Sequence, residues 1–310
     1  MMNKLTKRIF ISIGVVSVII VLLIGGYIYG VLGAAHRASD SAFVPLKTTD
    51  SKKETATQIT NKDSFTILLM GVDSRDADLS GRSDTMIVAT VNPKTNKTTM
   101  VSIPRDTYVE GTTINKLNSA YADGGPENAI RHINTLLDIK INHYATLNFR
   151  GLVQLIDSIG GVSVQSPLEF TTSHSVEEQG NKDYHFVKGL NDLNGEKALA
   201  YSRERYNDPS GDYGRQTRQS QVIQAVLTKI KNVKTLNNYN DLFNILGNNV
   251  KTDLSWNNLK SLFTDYRNAF NTFDSNVLKG DGQTINGLSY QIASKDEINR
   301  IHELLLNSLD

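Results

Sequence analysis

Short apolar runs closed by turn residues open the folded part of this chain, and helical stripes follow them. Phe65-Thr66-Ile67-Leu68-Leu69-Met70 ends at Gly71, Thr85 to Val91 makes a second run, and Thr98 to Ile103, stopped by Pro104, makes a third. Such runs predict strands, and the turn Asn92-Pro93-Lys94-Thr95-Asn96 predicts a hairpin between the last two. Ala129, Ile130, Ile133, Leu136 and Leu137 then form one helical stripe behind Pro126-Glu127. Leu152, Val153, Leu155, Ile156 and Ile159 form another before Gly160-Gly161. His143 to Leu147 and Val162 to Val164 read as strands between and after them. Polar residues 171–183 read as loop, Asn194 to Tyr201 as a helix, and Arg215 to Lys231 as an amphipathic helix through Val222, Ile223, Val226 and Ile230. Helices near Leu242 to Leu246 and Asn257 to Phe270, a hairpin across Val277 to Ile292 and a helix from Lys295 to Leu309 complete the pattern. Strands alternating with helices predict a layered α/β domain. No repeat or linker interrupts it, so one domain is expected over residues 63–310.

The amino terminus follows a different pattern. Ile9 to Ala35 contains no charged residue. A spanning helix needs about 20 apolar residues, whereas the core of a cleavable signal peptide has about 7 to 15, so residues 9–35 read as a membrane anchor. Gly33-Ala34-Ala35 resembles a cleavage site, which keeps the signal-peptide reading open. Lys4, Lys7 and Arg8 precede the run and predict that residues 1–8 stay in the cytoplasm while the rest is exported. Residues 36–62 are polar with little periodicity and read as a solvated stalk.

Charge narrows the partners. The chain carries 33 basic and 32 acidic residues, but Lys4, Lys7, Arg8 and Arg37 all precede the first acid, leaving 29 basic against 32 acidic residues in the body. That sign argues against a nucleic-acid binder, which needs a basic surface. No cysteine is present, so thiol chemistry is excluded. The six histidines show no close metal-ligand spacing and read as surface or satisfied core residues. Ser74 and Ser83 have no evident histidine partner for nucleophilic catalysis.

Phosphate binding must therefore be local, and four arginines within sixteen residues suggest where. Arg203, Arg205, Arg215 and Arg218 bracket the turn-rich stretch Asp208-Pro209-Ser210-Gly211-Asp212-Tyr213-Gly214. Arginine suits planar, bidentate recognition of phosphate. Arg215 and Arg218 are expected at the start of a helix, where added cations favour an anion. Surface ion pairs such as Arg205/Asp208 and Asp212/Arg215 are the competing reading. Three strand ends add charge: Gly71-Val72-Asp73-Ser74-Arg75, Gly81-Arg82-Ser83-Asp84-Thr85 and Ile103-Pro104-Arg105-Asp106. Asp73 and Asp84 at a common sheet end could hold Mg²⁺, a hard cation that takes oxygen ligands and shares its shell with phosphate, or could simply cap their turns.

These motifs, together with Ile114-Asn115, Ala120-Tyr121-Ala122-Asp123-Gly124-Gly125 and Gly189 to Arg218, resemble the LytR-CpsA-Psr family in order from about Ile67 to Ile230. The resemblance implies an extracytoplasmic three-layer α/β/α fold with a central mixed sheet and an apolar pocket for a polyprenyl chain. It also implies Mg²⁺-assisted transfer of a glycopolymer phosphate from polyprenyl diphosphate to a peptidoglycan hydroxyl. In that family's terms Asp73 and Asp84 match metal-binding aspartates, and Arg82, Arg105, Arg203, Arg205 and Arg215 match phosphate-binding arginines. Arg75, Asp212 and Arg218 fall inside matching motifs, and Asp73 is the expected general base. Glu204 departs from the basic pattern between its arginine neighbours. A non-catalytic sensor of polyprenyl diphosphate and a lipid pyrophosphatase are the alternatives; an intracellular transcriptional regulator is disfavoured by the expected outward topology.

Overall fold

The computed structural model describes residues 30–46, 59, 62–73, 79, 81–172, 183–232 and 239–310. In chain order the elements are α1 (residues 30–42), β1 (Phe65–Val72), β2 (Ser83–Asn92), β3 (Lys97–Ser102), α2 (Leu117–Leu137), β4 (His143–Asn148), α3 (Phe149–Ser158) and β5 (Val162–Ser166). They continue with β6 (Phe170–Thr171), β7 (His185–Phe186), β8 (Gly189–Leu193), α4 (Gly195–Arg203), α5 (Gly211–Asn232), α6 (Tyr239–Asn249), β9 (Val250–Thr252) and α7 (Trp256–Thr264). The last are β10 (Thr272–Val277), β11 (Asp281–Ile285), β12 (Leu288–Ile292) and α8 (Lys295–Asn307).

Six strands form a central mixed sheet in the order β10-β3-β2-β1-β4-β9. The alternation of side chains along each strand separates two cores. Leu68, Met70 and Val72 of β1, Met86 and Val88 of β2, and Val101 of β3 face α2 and α8, meeting Leu117, Ile133, Leu137, Ile301 and Leu305. Phe65, Ile67, Ile87, Ala89, Val91 and Met100 face the other way, toward Leu254, Tyr266, Ala269 and the partly buried Ile223, Leu259 and Leu262. Helices thus cover both faces, the layering that strands buried on both sides require.

The direction of the strands places the chemistry. β1 pairs antiparallel with β2 and β2 with β3, while β4 runs parallel to β1 and β10 parallel to β3. The carboxyl ends of β1, β3, β4 and β10 and the amino end of β2 therefore share one edge of the sheet. A bulge between Gly71 and Val72 re-aims the end of β1. Gly71 is required there, since a Cβ would lie 3.0 Å from the Cβ of Thr85.

Several expected elements differ in the structure. The helix expected from the Ala129 stripe begins at Leu117 and bends at Gly124 and Gly125, whose backbones leave helical geometry just before Pro126. The expected hairpin across Val277 to Ile292 is only β11 and β12, turned at Asn286-Gly287, both with positive φ. β10 instead joins the central sheet, because it pairs residue for residue with β3. β5 lies outside that sheet, paired with β8 over a separate core that holds Leu155, Ile156, Phe186, Tyr201 and Val222. The stripes at Ile130 to Leu137 and Leu152 to Ile159 serve these cores.

The expected apolar anchor lies mostly outside the described residues, and among those described no helix is long and apolar enough to cross a membrane. The expected stalk needs correction where it is described. Residues 36–42 belong to α1, with Ala34, Ala35, Ser39 and Ala42 buried. Phe43 bridges to Thr252, the Val44 N–H donates to the Thr252 carbonyl at 2.8 Å, and Lys251 Nζ donates to the Ser41 carbonyl at 2.8 Å. The small residues that weaken apolar periodicity are what let this helix approach α6 closely, with Gly247 against Ala38.

Candidate functional site

Asp73, Arg82, Asp84 and Arg105, expected at three strand ends, line one cavity of about 470 Å³ together with Asp106, Ile114, Lys116 and Asn118. Arg82 and Asp84 flank the first residue of β2, and the Asp73 N–H donates to the Arg82 carbonyl at 3.3 Å, which joins the ends of β1 and β2. Arg105 follows β3 across Pro104; its guanidinium donates to Asp84 Oδ1 at 2.9 Å and lies 3.7 Å from Asp106. Burial opposes the Arg105 charge, but Asp84, Asp106 and Asp212 outweigh it, and the pKa is raised. Its Nε is buried without a hydrogen-bond partner and is the atom that lies 3.7 Å from Asp106.

Lys116 and Asn118 were not singled out in the sequence. Lys116 Nζ reaches Asp106 at 2.9 Å, and the Asn118 N–H donates to the Arg105 carbonyl at 3.0 Å, so the start of α2 is tied to the end of β3. The signal that could have found them is a polar pair around Leu117 at the first turn of an unrecognised helix.

The arginine-rich segment divides into different roles. Arg203 ends α4 and lies over the Phe149 ring, 5.2 Å from its centroid; that ring in turn approaches Gly71, two residues before Asp73. Arg205 is partly buried and donates to the Tyr206 hydroxyl at 2.6 Å. Tyr206 is exposed, and its phenol pKa is lowered first by that bond and the Arg205 charge, with Arg105 contributing further. Arg215 is buried and pairs with Asp212 at 2.5 Å. Burial lowers its pKa, Asp212 partly offsets this, and Arg105, Asp84 and Arg205 all act on it. Its Nε also lacks a hydrogen-bond partner. Arg215 is close enough to Arg105, Asp84 and Arg205 to feel their charges, while Arg203 stands over Phe149; the cavity lining itself includes none of Arg203, Arg205 and Arg215.

Arg218, expected inside the phosphate-binding motif, is engaged within the core. Only 1% exposed, it donates from Nε to the Tyr201 carbonyl at 3.0 Å and from its terminal nitrogens to Asp208 and the Glu204 carbonyl. It also lies over the Phe170 ring at 5.2 Å. The reason is the helix start: α5 begins at Gly211, four residues before the expected Arg215, so Arg218 lies deep within it and faces the core. Asp212 holds Arg215 and accepts from Gln216 Nε2 at 2.8 Å, so it orients an arginine instead of meeting a phosphate itself. Glu204 is buried too; its Oε1 accepts the N–H groups of Arg205, Tyr206 and Asn207 at 2.9, 2.7 and 3.1 Å, shaping the loop. Arg75 lies outside the described residues.

Elsewhere, His143 is a satisfied core residue, 3.0 Å from Asp253, which also accepts the Tyr144 N–H at 2.8 Å. Asp73 and Asp84 offer oxygen donors beside phosphate-binding groups, the set a hard divalent cation shares with phosphate and water. Arg105 takes one oxygen of Asp84, and the other is the one a cation would use. Among the described residues no cluster of three or more His, Asp or Glu side chains forms a closed metal cage.

The fold is a layered α/β domain that gathers carboxylates and guanidinium groups around a polar cavity at one sheet edge. The chain belongs to the LytR_cpsA_psr family, whose model matches residues 32–307. It is similar to the Enterococcus faecalis protein named polyisoprenyl-teichoic acid-peptidoglycan teichoic acid transferase TagU, 37% identical over 316 residues, 100% of this chain and 99% of that one. The crystal structure of Bacillus subtilis TagU matches with a TM-score of 0.62 at 37% identity, over 80% of this chain and 98% of that one. TagT bound to LIIa-WTA matches with a TM-score of 0.67 at 27% identity, over 85% and 99% of the two chains.

Proposed function

We propose that this chain is a membrane-anchored glycopolymer phosphotransferase, moving the phosphate-linked polymer from polyprenyl diphosphate to a hydroxyl of peptidoglycan. Wall teichoic acid is the cargo favoured by the names of its relatives, TagU above all. The observation that carries the chemistry is the cavity that Arg82 and Arg105 share with Asp73 and Asp84, with Arg215 close enough to Arg105 and Asp84 to feel both charges.

Phosphoryl transfer asks mainly for positioning and charge stabilisation. Arg82, Arg105, Arg203, Arg205 and Arg215 grip the diphosphate oxygens, with Asp84 and Asp212 setting the planes of Arg105 and Arg215. Asp73 takes the proton of the attacking hydroxyl as the new P–O bond forms on the polymer-bearing phosphorus. The bond from that phosphorus to the bridging oxygen breaks, and polyprenyl phosphate leaves. Mg²⁺ held by Asp73 and Asp84 would supply further stabilisation of charge on the phosphate oxygens. The residue 9–35 run anchors the protein in the cell membrane with residues 1–8 inside and the α/β body outside, beside both the lipid donor and the wall acceptor.

The test is release of polyprenyl phosphate from a labelled lipid-linked polymer by the full chain in lipid vesicles, with and without a peptidoglycan acceptor and Mg²⁺. Metal- and acceptor-dependent release with polymer joined to glycan is expected. Tight lipid binding without turnover would replace the transferase by a sensor, and acceptor-independent release by a pyrophosphatase.

A further inference from the structure

Among the described residues, Asn118 is the one neutral polar side chain lining the strand-end cavity. It is only 5% exposed, yet its Oδ1 has no hydrogen-bond partner. Its backbone is held: the N–H donates to the Arg105 carbonyl at 3.0 Å in the first turn of α2, two residues after Lys116. A buried acceptor without a partner is rare in folded proteins and signals a missing one.

The chemistry of that missing partner is constrained. A carboxamide oxygen accepts only, so Oδ1 needs an O–H or N–H. Ionised phosphates bring acceptor oxygens alone and are matched by the guanidinium groups and Lys116. The reacting hydroxyl has one proton, and Asp73 claims it. A non-reacting O–H or an acetamido N–H on a sugar ring next to the phosphate meets that requirement.

We propose that Asn118 is a sugar-reading residue, its Oδ1 accepting a hydrogen bond from a hydroxyl or acetamido group of the saccharide that flanks the transferred phosphate. This rests on the function proposed above, and the sugar belongs either to the lipid-linked donor or to the acceptor glycan. Asn118 would let a site that otherwise recognises only diphosphate distinguish a loaded lipid carrier, or a glycan acceptor, from a bare one.

The experiment compares wild type, Asn118→Ala and Asn118→Asp, each checked by thermal melting, for affinity toward polyprenyl diphosphate and a lipid-linked disaccharide, and for the acceptor KM. If the sugar is the donor's, Asn118→Ala binds the lipid-linked disaccharide roughly three- to tenfold more weakly, a neutral hydrogen bond's worth, and binds polyprenyl diphosphate as before. If it is the acceptor's, both affinities hold and the acceptor KM rises by a similar factor. Asn118→Asp keeps an acceptor oxygen and should preserve the ratio of loaded to bare lipid affinity or the acceptor KM, even if its added charge weakens both lipids alike. Equal weakening of both lipids by Asn118→Ala, a changed Mg²⁺ requirement with sugar affinities intact, or no change at all would overturn the assignment. The lipid affinities do not depend on turnover, so a protein that binds but never transfers would refute the proposed reaction without deciding Asn118.

Discussion

The two halves of the site are held together by different means. The strand-end half, with Asp73, Arg82, Asp84 and Arg105, stands on the hydrogen-bonded ladder of the central sheet. The loop half, from Arg203 to Arg218, has no ladder: buried charged side chains shape it, with Glu204 gathering three amides and Arg218 joining α5 to Asp208 and two carbonyls. Charge divides the same way. The strand-end cavity balances Arg82, Arg105 and Lys116 against Asp73, Asp84 and Asp106, whereas Arg203 to Arg218 sets four arginines against Glu204, Asp208 and Asp212; with Arg218 paired to Asp208 and Arg215 to Asp212, Arg203 and Arg205 remain against Glu204. One half is held by backbone pairing; the other is held by buried charged side chains. On the function proposed above, the first supplies metal-type ligands and the second further guanidinium groups for a diphosphate.

The sharpest test of this division is Arg218→Met. It leaves Asp208 buried without its partner, and a loss of about 3 to 5 kcal/mol in unfolding free energy is expected in urea melts. Gly214→Ala should act in the same direction, because a Cβ would be driven into the Asp208 carboxylate. Unchanged stability with lost lipid binding in Arg218→Met would instead return Arg218 to the phosphate site.

Arg105→Ala should do the reverse, weakening binding of polyprenyl diphosphate by about 1.5 to 3 kcal/mol while the melting transition stays near wild type. Calorimetry and melting read the two effects separately. Arg203→Ala should follow the same pattern.

Glu204→Gln keeps one acceptor oxygen but removes the charge that draws in three amides. A stability loss of about 1 kcal/mol is expected in urea melts, with a smaller fall in lipid affinity. A fall in affinity as large as that of Arg105→Ala would show that the loop depends on the charge itself.

The finest effect is optical. With its pKa lowered by Arg205, Tyr206 should ionise below the ordinary value of about 10, while Tyr184 and Tyr266, raised by burial, titrate near about 12. In a phenolate absorbance titration, Tyr206→Phe should remove the earliest step, and Arg205→Ala should move that step upward. Bound diphosphate should also raise it, by drawing Arg205 away from the phenol.

Local patterning made much of this legible. Alternating apolar residues defined β1, β2 and β3, and their turn residues located Asp73, Asp84 and Arg105 at the shared edge. What periodicity does not encode is long-range register: Thr272 to Val277 is polar and half-exposed, yet pairs with β3 across the chain. Nor does proximity in sequence fix direction. Arg215 and Arg218 are three residues apart on α5, but one pairs with Asp212 near Arg105 and Asp84 and the other reaches Tyr201, Phe170 and Asp208. Lys116 and Asn118 went unnoticed because the first half of α2 is short, bent and polar.

The docking of α1 has a mechanical consequence. A flexible stalk acts as a leash, letting an enzyme wander over a hemisphere whose radius is the tether's reach. With His36 tilted against Trp256 at 5.3 Å and Val44 joined to Thr252, the segment after the proposed anchor is a bracket. Under that anchoring, residues 36–46 add no slack between the membrane and the body, and the tether's reach shrinks accordingly.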